Sequence, residues 1–305
     1  MISSQNLIKN RVLIVGSNGM LGQRLTEFFL KKDRVELHCC SAEEESYISD
    51  IDYVKLDIRN KKEVRKVIHN FYPDFIINAA AYTNVDGCES NKELAWKINV
   101  DGVKSLAYYG SAVDSHIIHI SSDYVFDGVA GPYSEVDQPN PISYYGRSKL
   151  ASENVLKGSG CRYAIVRTNV LYGQAKYGRP DFVKWVVNSL RESQVIRIVT
   201  DQINNPTYLD DIVFGINKII KLNKEGIYNL AGPEFLSRFE FAERIAEYFK
   251  LDRNLIIPIK TKELKQPALR PLNSGLIILK AETELNYKPH SIKESLALMK
   301  KELNN

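Results

Sequence analysis

Short apolar runs alternate with stretches of helical periodicity through the first half of the chain. In the stretches between the runs, apolar side chains recur three and four positions apart, as Leu25, Phe28 and Phe29 do, which predicts helices. The apolar runs predict strands at residues 11–15, 35–40, 53–56, 75–81, 116–122 and 162–167. Strands that alternate with helices are typical of a parallel, doubly wound sheet with helices on both faces, so we predict an α/β fold.

The strict alternation weakens after about residue 171. The patterns there predict helices at residues 182–190, 210–222, 237–249 and from 291 onward, and strands at 195–199 and 227–230. The helices that follow Ser237 and Ser291 begin with capping boxes. We therefore predict a nucleotide-binding domain at residues 1–170 and a smaller substrate lobe at 171–305. The lobe is expected to be discontinuous, with some elements returning to the first sheet.

Composition narrows the class of protein. The chain has 305 residues, of which 44% are hydrophobic and 26% charged, and a net charge of +4 from interspersed basic and acidic residues. This distribution predicts no nucleic-acid partner, and no apolar run is long enough to cross a membrane. The N-terminus lacks the parts of a signal peptide, so we expect a soluble cytoplasmic protein. Cysteine and histidine spacings predict reduced thiols and no metal site.

The first predicted strand runs directly into a glycine-rich turn, which has the sequence Gly16-Ser17-Asn18-Gly19-Met20-Leu21-Gly22. A strand, such a turn and a helix in this order are typical of a dinucleotide-binding motif. Gly16 permits the tight turn, Gly19 lets the backbone approach a pyrophosphate, and Gly22 lets the helix pack closely on the strand. Free N–H groups at the helix N-terminus then face the phosphates. We therefore predict a Rossmann-type sheet that binds NADPH or NADH.

The end of the second predicted strand bears on the choice between the two cofactors. An acidic residue at this place holds the ribose hydroxyls of NAD in many such folds. Here the strand ends at Cys40-Ser41, and the glutamates at 43–45 stand slightly beyond, where we interpret them as a solvated loop. The sequence leaves the choice open, and the missing acid at Ser41 favours NADPH or the use of both.

Two neighbouring segments bring a hydroxyl, a phenol and an ammonium together. Ser122 stands at the carboxyl end of the strand predicted at residues 116–122. Tyr145 and Lys149 are four residues apart at the start of a predicted helix, so their side chains point into the same space. A nearby ammonium favours the phenolate and lowers the pKa of a phenol from about 10. Such a group can hold a carbonyl oxygen and donate a proton to it, which predicts a carbonyl reductase.

Several candidate residues share one position relative to the predicted sheet. Gly16, Asp57, Ala79 and Ser122 all stand at the carboxyl ends of predicted strands. Ligands of doubly wound sheets bind beyond these ends. The coincidence is stronger evidence for a ligand site than any single motif.

These motifs give the chain a resemblance to a known family. The matching segments are GSNGMLG (16–22), PDFIINAAAYTNVD (73–86), ISSDYVFDG (120–128), YGRSKLASE (145–153), RTNVLYG (167–173), TDQINNPT (200–207) and RPLNSGL (270–276). Together they resemble the extended short-chain dehydrogenase/reductase superfamily and, within it, the dTDP-4-dehydrorhamnose reductase family. The resemblance extends from Val12 to about Pro289.

The resemblance implies roles for individual residues. The implied catalytic residues are Ser122, Tyr145 and Lys149. The implied cofactor-binding residues are Gly16, Asn18, Gly19, Met20, Leu21, Gly22, Asp57, Ile58, Ala79, Ala80, Tyr82, Tyr145 and Lys149. The implied substrate-binding residues are Ser122, Asp123, Tyr124, Val170 and Arg270. The implied partner is a nucleotide-sugar substrate, and a homodimer is left open.

The implied reaction is reduction of the 4-keto group of a nucleotide-linked 6-deoxyhexose, dTDP-4-dehydro-L-rhamnose to dTDP-L-rhamnose. The sequence departs from the family on the substrate side. Val170 stands where the family commonly has a Trp that contacts the sugar, and Asn204 stands where it has a glycine. Val170 leaves space for a bulkier or differently configured hexose. Arg270 could bind the diphosphate of the substrate or could only tie down a Pro-rich loop.

Two alternative functions stay open at this point. Sugar-nucleotide dehydratases and epimerases belong to the same superfamily, but dehydratases place an Asp-Glu pair after the central hydroxyl. Here Asp123 is followed by Tyr124, so the pair is incomplete. The regulatory subunit of methionine adenosyltransferase resembles the same family, and its motifs do not separate it from the reductases. Nucleotide binding without turnover of a keto-sugar would favour that reading.

Overall fold

A seven-stranded parallel sheet forms the centre of the computed structural model, which describes residues 9–303. The strand order is β11-β6-β5-β4-β1-β2-β3. The strands are β1 (Asn10–Val15), β2 (Val35–Ser41), β3 (Tyr53–Lys55), β4 (Phe75–Asn78), β5 (His116–Ser122), β6 (Arg162–Thr168), β7 (Leu171–Tyr172), β8 (Ile196–Val199), β9 (Ile203–Asn204), β10 (Thr207–Tyr208), β11 (Gly226–Asn229), β12 (Leu236–Ser237) and β13 (Ile256–Ile259). The predicted α/β fold with a doubly wound parallel sheet is confirmed.

Helices cover both faces of this sheet and build the smaller lobe. The α-helices are α1 (Met20–Phe29), α2 (Lys61–Phe71), α3 (Val85–Ser90), α4 (Lys92–Trp96), α5 (Gly102–Ser111), α6 (Tyr144–Gly158), α7 (Phe182–Arg191), α8 (Leu209–Leu222), α9 (Arg238–Phe249), α10 (Leu279–Leu285) and α11 (Ile292–Leu303). A π-helical turn at Lys97–Asp101 joins α4 to α5. No helix within residues 9–303 is long and apolar enough to span a membrane.

The two faces of β1 show why the sequence folds into three layers. Val12 and Ile14 pack with α1 and α8 on one face, whereas Leu13 and Val15 pack with α2 and α5 on the other. All four side chains are fully buried. A central strand that is buried on both faces reads as a continuous apolar run rather than an alternating one, as this run does.

The strand order reverses between β1 and β4, and this position determines where a ligand can bind. β2 and β3 lie on one side of β1, while β4, β5 and β6 follow on the other. The register pairs Val15 with Asn78, and Asn78 with His119. The residues that follow these strands therefore meet at one edge of the sheet, where a crevice opens beyond the carboxyl ends.

The smaller lobe has a hydrophobic core of its own, built from α7, α9 and α11. Not all of the second half belongs to it, because β11 pairs with β6 and completes the large sheet. The helix before β11, α8, also packs on α1. The division at residues 1–170 and 171–305 stays a prediction, and the position of β11 supports a discontinuous second lobe.

Local signals located most element boundaries. The strand predicted at residues 116–122 is β5 itself, and the predicted capping box at Ser237 and Glu240 opens α9. The strand predicted at 75–81 was too long, because β4 ends at Asn78. The small residues that follow form an irregular segment at the edge of the crevice.

Candidate active site

A cavity of about 490 Å³ lies at the carboxyl ends of the large sheet, between the sheet and the smaller lobe. Many of the predicted site residues line it: Gly19, Met20, Leu21, Gly22, Ala79, Ser122, Asp123, Tyr124, Tyr145, Lys149 and Val170. The other predicted residues do not line this cavity: Gly16, Asn18, Asp57, Ile58, Ala80, Tyr82 and Arg270. The cavity therefore joins the glycine turn to the hydroxyl, the phenol and the ammonium.

The glycine turn is shaped by close backbone contacts. Gly16 has a φ of +84°, and a Cβ built on it would lie 2.6 Å from the backbone nitrogen of Ala80. A Cβ on Gly22 would lie 2.1 Å from the carbonyl oxygen of Gly16. The expectation for Gly22 therefore needs a correction, because its helix approaches the turn itself rather than the strand. Both positions exclude any side chain.

The start of α1 suits a diphosphate. The backbone N–H groups of Met20, Leu21 and Gly22 have no hydrogen-bond acceptor within residues 9–303, and all three residues line the cavity. The buried hydroxyl of Ser17 also lacks a partner in this part of the chain. Unsatisfied N–H groups at a helix N-terminus attract anions, so the turn fits the pyrophosphate of a dinucleotide.

Asn18 ties the turn to the loop that follows β2. Its side-chain nitrogen donates to the carboxylate of Glu43 (3.2 Å) and to the carbonyl oxygen of Glu45 (2.9 Å), and its backbone nitrogen donates to the hydroxyl of Ser41 (3.1 Å). Glu43 is exposed, as the interpretation of a solvated loop expects. Its carboxylate also accepts a hydrogen bond from Asn18 and so contacts the glycine turn.

Asp57 and Ile58, which the family resemblance implies as cofactor-binding residues, lie outside the cavity. The carboxylate of Asp57 accepts hydrogen bonds from the guanidinium of Arg59, which lowers the pKa of Asp57. Ile58 is buried against Gly102, where a Cβ would lie 2.0 Å from the Cγ1 atom of Ile58. The contact of both residues with the cofactor stays a prediction.

Helix α6 is held firmly against the turn that follows β5. The hydroxyl of Ser143 caps the helix by accepting the N–H of Gly146 (3.1 Å). A Cβ on Gly146 would lie 2.1 Å from the carbonyl oxygen of Tyr124, so only glycine allows this approach. The aromatic rings of Tyr124 and Tyr145 then meet edge to face, with centroids 5.5 Å apart. Tyr145 is thereby placed beside Ser122 at the end of β5.

The hydroxyl of Ser122 has a defined set of partners. It donates to the carboxylate of Asp123 (2.9 Å) and accepts the backbone N–H of Tyr124 (3.2 Å). The same hydroxyl lowers the pKa of the nearby Tyr145 phenol. Both hydroxyls line the cavity, where a carbonyl oxygen could bind to them.

The expected pKa of Tyr145 needs a correction. Burial raises the pKa of this phenol well above 10, and the negative charge of Asp123 raises it further. The nearby hydroxyl of Ser122 lowers it by less, and Lys149 does not offset the loss of solvation. Tyr145 therefore stays protonated across the neutral range, which suits a proton donor rather than a base.

Lys149 is buried one helical turn beyond Tyr145. Its Nζ atom donates to the carbonyl oxygen of Ile120 (2.6 Å) and lies 3.4 Å from the Nε2 atom of His119. Burial lowers the pKa of Lys149 to about 8, although the carboxylate of Glu153 raises it. His119 itself is buried, and the same desolvation keeps its pKa well below 6.5. Lys149 is thus charged at neutral pH and titrates just above it.

Asp123 connects the two halves of the molecule. Its second carboxylate oxygen accepts the hydroxyl of Ser274 at 2.6 Å, across 151 residues of chain. Burial raises the pKa of Asp123 to about 6, and the hydrogen bonds from Ser274 and Ser122 lower it by less. The RPLNSGL segment therefore reaches the cavity through Ser274.

The structure does not bring Arg270 into the cavity. Its guanidinium forms hydrogen bonds of 2.6 and 2.7 Å to the two carboxylate oxygens of Asp86, and a third of 2.6 Å to the carbonyl oxygen of Ala268. The substrate contact of Arg270 stays a prediction, and its pairing with Asp86 supports the alternative, in which Arg270 ties the loop before Asn273 to α3.

Val170 does line the cavity, in a conformation that valine rarely adopts. Its φ is +38°, although its side chain is branched at Cβ. Its carbonyl oxygen accepts the N–H of Thr207 at 3.1 Å, which helps to hold this backbone. A non-glycine residue held at positive φ is a common feature of ligand sites.

Sequence reasoning missed several residues of the cavity wall, which are Thr83, Val85, Ile120, Thr168, Asn169, Leu171, Gln202, Arg238, Pro271 and Ser274. Most lie inside the quoted motifs, so the motifs were a usable signal. Arg238 lies in a stretch interpreted only as a helix start. Within residues 9–303 no group of His, Cys, Asp or Glu side chains is arranged to hold a metal ion.

Comparisons with known proteins agree with this site. A family model described as the RmlD substrate binding domain matches residues 10–305. The dTDP-4-dehydrorhamnose reductase of Aggregatibacter actinomycetemcomitans is 34% identical over 298 residues, which cover 94% of this chain and 97% of the relative. The crystal structure of dTDP-4-dehydrorhamnose reductase from Bacillus anthracis in complex with NADP is 35% identical, with a TM-score of 0.87 over 96% of this chain and 99% of that chain.

A relative of another class is also similar. Methionine adenosyltransferase 2 subunit beta of Bos taurus is 28% identical over 284 residues, which cover 91% of this chain and 83% of the relative. The match of the family model extends over nearly the whole chain and both lobes. The predicted resemblance is confirmed, and the chain belongs to the RmlD substrate binding domain family, together with the dTDP-4-dehydrorhamnose reductases.

Proposed function

We propose that the protein is an NAD(P)H-dependent oxidoreductase that converts dTDP-4-dehydro-L-rhamnose into dTDP-L-rhamnose by reducing the 4-keto group. One observation carries the proposal: the hydroxyl of Ser122 and the phenol of Tyr145 share a cavity with the unsatisfied N–H groups at the start of α1. A proton donor for a carbonyl and a helix N-terminus that can bind a dinucleotide thus line the same cavity. The Bacillus anthracis relative, which binds NADP, supports NADPH as the cofactor.

When bound, NAD(P)H supplies the hydride that the carbonyl carbon of the sugar gains. Tyr145 donates its phenolic proton to the carbonyl oxygen, so the C=O bond becomes a CH–OH group. Its raised pKa keeps this proton in place until the oxygen gains negative charge. Ser122 turns its hydroxyl from Asp123 toward the same oxygen and holds it in reach of the phenol.

Lys149 stabilises the charge that the reaction leaves behind. After the proton transfer Tyr145 is a phenolate, and a cation one helical turn away favours that form. The pKa of about 8 means that Lys149 carries this charge at neutral pH. The carbonyl oxygen of Ile120 fixes the ammonium, and the ribose hydroxyls of the cofactor are its second partner in our proposal.

The surroundings of Asp123 argue against a dehydratase. Both carboxylate oxygens accept hydrogen bonds from serine hydroxyls, and the next residue is Tyr124 rather than a glutamate. The acid–base pair that eliminates water is therefore incomplete.

Because the substrates are charged and water-soluble, we place the enzyme in the cytoplasm, and a homodimer stays open.

One experiment tests the proposal directly. The protein is incubated with NADPH and a panel of nucleotide-linked 4-keto-6-deoxyhexoses while the absorbance of the reduced cofactor is followed. We expect oxidation with dTDP-4-dehydrorhamnose. Oxidation with a different keto-sugar alone would keep the reaction and replace the named substrate, which the space at Val170 would explain.

A regulatory role is the second candidate, because the Bos taurus relative is a subunit of methionine adenosyltransferase. The same panel separates the two functions. Binding of NADPH without oxidation by any keto-sugar would favour the regulatory role and overturn the reductase.

A further inference from the structure

Two basic side chains line the cavity within the described part of the chain, Lys149 and Arg238. Lys149 is engaged by the carbonyl oxygen of Ile120 beneath Tyr145. Arg238 is the first residue of α9, and its backbone N–H donates to the carbonyl oxygen of Gln202 at 3.1 Å. That bond anchors the residue at the cavity wall, so its side chain is placed by the fold rather than by a flexible loop.

The guanidinium of Arg238 has an aromatic neighbour but no polar partner. It lies 5.3 Å from the centroid of the Phe182 ring. Among residues 9–303 it has no hydrogen-bond acceptor and no carboxylate at ion-pair distance. Burial lowers the pKa of Arg238, and the more distant Tyr124 and Asp123 only partly offset this. The residue is only partly buried, so the donors of its guanidinium stay accessible from the cavity that Arg238 lines.

Two other arginines, Arg167 and Arg270, are paired with carboxylates, whereas Arg238 has no such partner within residues 9–303. Arg167 holds both carboxylate oxygens of Glu153, at 2.9 and 2.7 Å. Arg270 holds both oxygens of Asp86 in the same way. An arginine left with free donors on a cavity wall is therefore best explained by an anion that enters the cavity.

The position of Arg238 fits one particular anion of the substrate. Asp123, whose charge acts on Arg238, also accepts the hydroxyl of Ser122. Arg238 thus lies near the hydroxyl pair without touching it. In a nucleotide-linked 4-ketohexose the diphosphate is attached across the sugar ring from the carbonyl. If Ser122 and Tyr145 hold the carbonyl, the diphosphate lies one sugar ring away.

We propose that Arg238 binds the diphosphate of the nucleotide-sugar substrate, an inference that rests on the proposed reductase function. The planar guanidinium can donate two parallel hydrogen bonds to phosphate oxygens while it stays stacked near Phe182. Arg270, which the sequence motif suggested for this contact, keeps its ion pair with Asp86 and holds the wall of the site together.

The test is to measure, by titration calorimetry, the equilibrium binding of dTDP to the protein saturated with NADPH. We expect Arg238→Gln to weaken dTDP binding by about 10- to 100-fold, as the loss of charged hydrogen bonds does. Arg238→Lys should recover part of it, because it keeps the charge and loses the planar fork. Thymidine, which has no phosphate, should bind the wild type and Arg238→Gln equally.

Arg244→Gln is the matched control, because Arg244 lies on the same helix but is exposed and paired with Glu234. It should leave dTDP binding unchanged. With a keto-sugar, Arg238→Gln should raise KM far more than it lowers kcat. Unchanged dTDP affinity in Arg238→Gln, or an equal loss in Arg244→Gln, would overturn the proposal, as would a loss confined to NADPH binding.

These outcomes are distinct from the failure of the reductase function. dTDP binding needs no turnover, so an Arg238-dependent diphosphate site in a protein that oxidises no NADPH would overturn the reaction and keep the site. Turnover of a keto-sugar with a KM that does not depend on Arg238 would keep the reaction and overturn the proposed diphosphate site.

Discussion

Replacing Gly22 with alanine adds one methyl group at the tightest contact of the glycine turn. The new Cβ would lie 2.1 Å from the carbonyl oxygen of Gly16 and 2.7 Å from the Cα atom of Ser17. Non-bonded heavy atoms settle about 3.5 Å apart, so α1 and the turn must separate by about 1 Å. Overpacking of this kind costs about 1–3 kcal/mol, and the better helix propensity of alanine returns about 1 kcal/mol at most.

We therefore expect Gly22→Ala to lose about 1–2 kcal/mol of unfolding free energy, which lowers Tm by about 2–3 °C in a chain of 305 residues. The N–H groups of Met20 and Leu21 move with the helix, so the affinities for NADPH and NADH should both fall by about tenfold or more. Fluorescence titration with each cofactor and thermal unfolding measure the two effects.

Gly158→Ala is the control for the same chemical change. Gly158 also lies in a helix, α6, but no atom lies within 4 Å of a Cβ there. This variant should keep its cofactor affinity and be as stable as the wild type or slightly more so. Wild-type affinity for both cofactors in Gly22→Ala would refute the view that this contact shapes the phosphate site.

The remaining predictions concern the acid, the ammonium and the cofactor choice. Tyr145→Phe should lower kcat by about 10²–10⁴-fold with NADPH affinity unchanged, and wild-type turnover in this variant would remove Tyr145 from the mechanism. In the folded protein the pKa of Lys149 is lowered from 10.5 to about 8. Between pH 8 and 10.5 the unfolded chain therefore binds more protons than the folded one, so the contribution of Lys149 to the free energy of unfolding rises with pH. Denaturant unfolding should therefore show wild-type stability rising by about 3 kcal/mol relative to Lys149→Met from pH 8 to 10.5, and a constant difference would contradict the lowered pKa. Glu43→Gln should raise the affinity for NADPH relative to NADH, because a carboxylate beside the turn repels a 2′-phosphate, and an unchanged ratio of the two dissociation constants would place Glu43 outside the cofactor site.

Much of the fold could be predicted because its signals are local. The run from Arg11 to Val15 must be a buried strand, and the glycines after it must turn, for reasons that involve only near neighbours in the chain. The same holds for the capping box at Ser237. Tyr145 and Lys149 share a face because a helix has a fixed period. These features need no knowledge of the rest of the molecule.

The electrostatics of the site depended on tertiary structure. The pKa of Tyr145 was expected to fall because of Lys149, yet burial and Asp123 raise it. Desolvation is set by the whole wall around a group, and the sequence spacing of two residues does not report it.

What the sequence by itself determined was the α/β class, the glycine turn and the shared helix face of Tyr145 and Lys149, since each follows from the spacing of neighbours. Only the tertiary structure decided which arginine faces the cavity. The guanidinium of Arg270 is paired with Asp86, 184 residues away. Arg238 is held at the cavity wall by the bond from its backbone N–H to Gln202, and its guanidinium has no carboxylate partner within residues 9–303. Whether a charge is paired depends on groups that are distant in sequence, and only the packing of the two lobes brings them together.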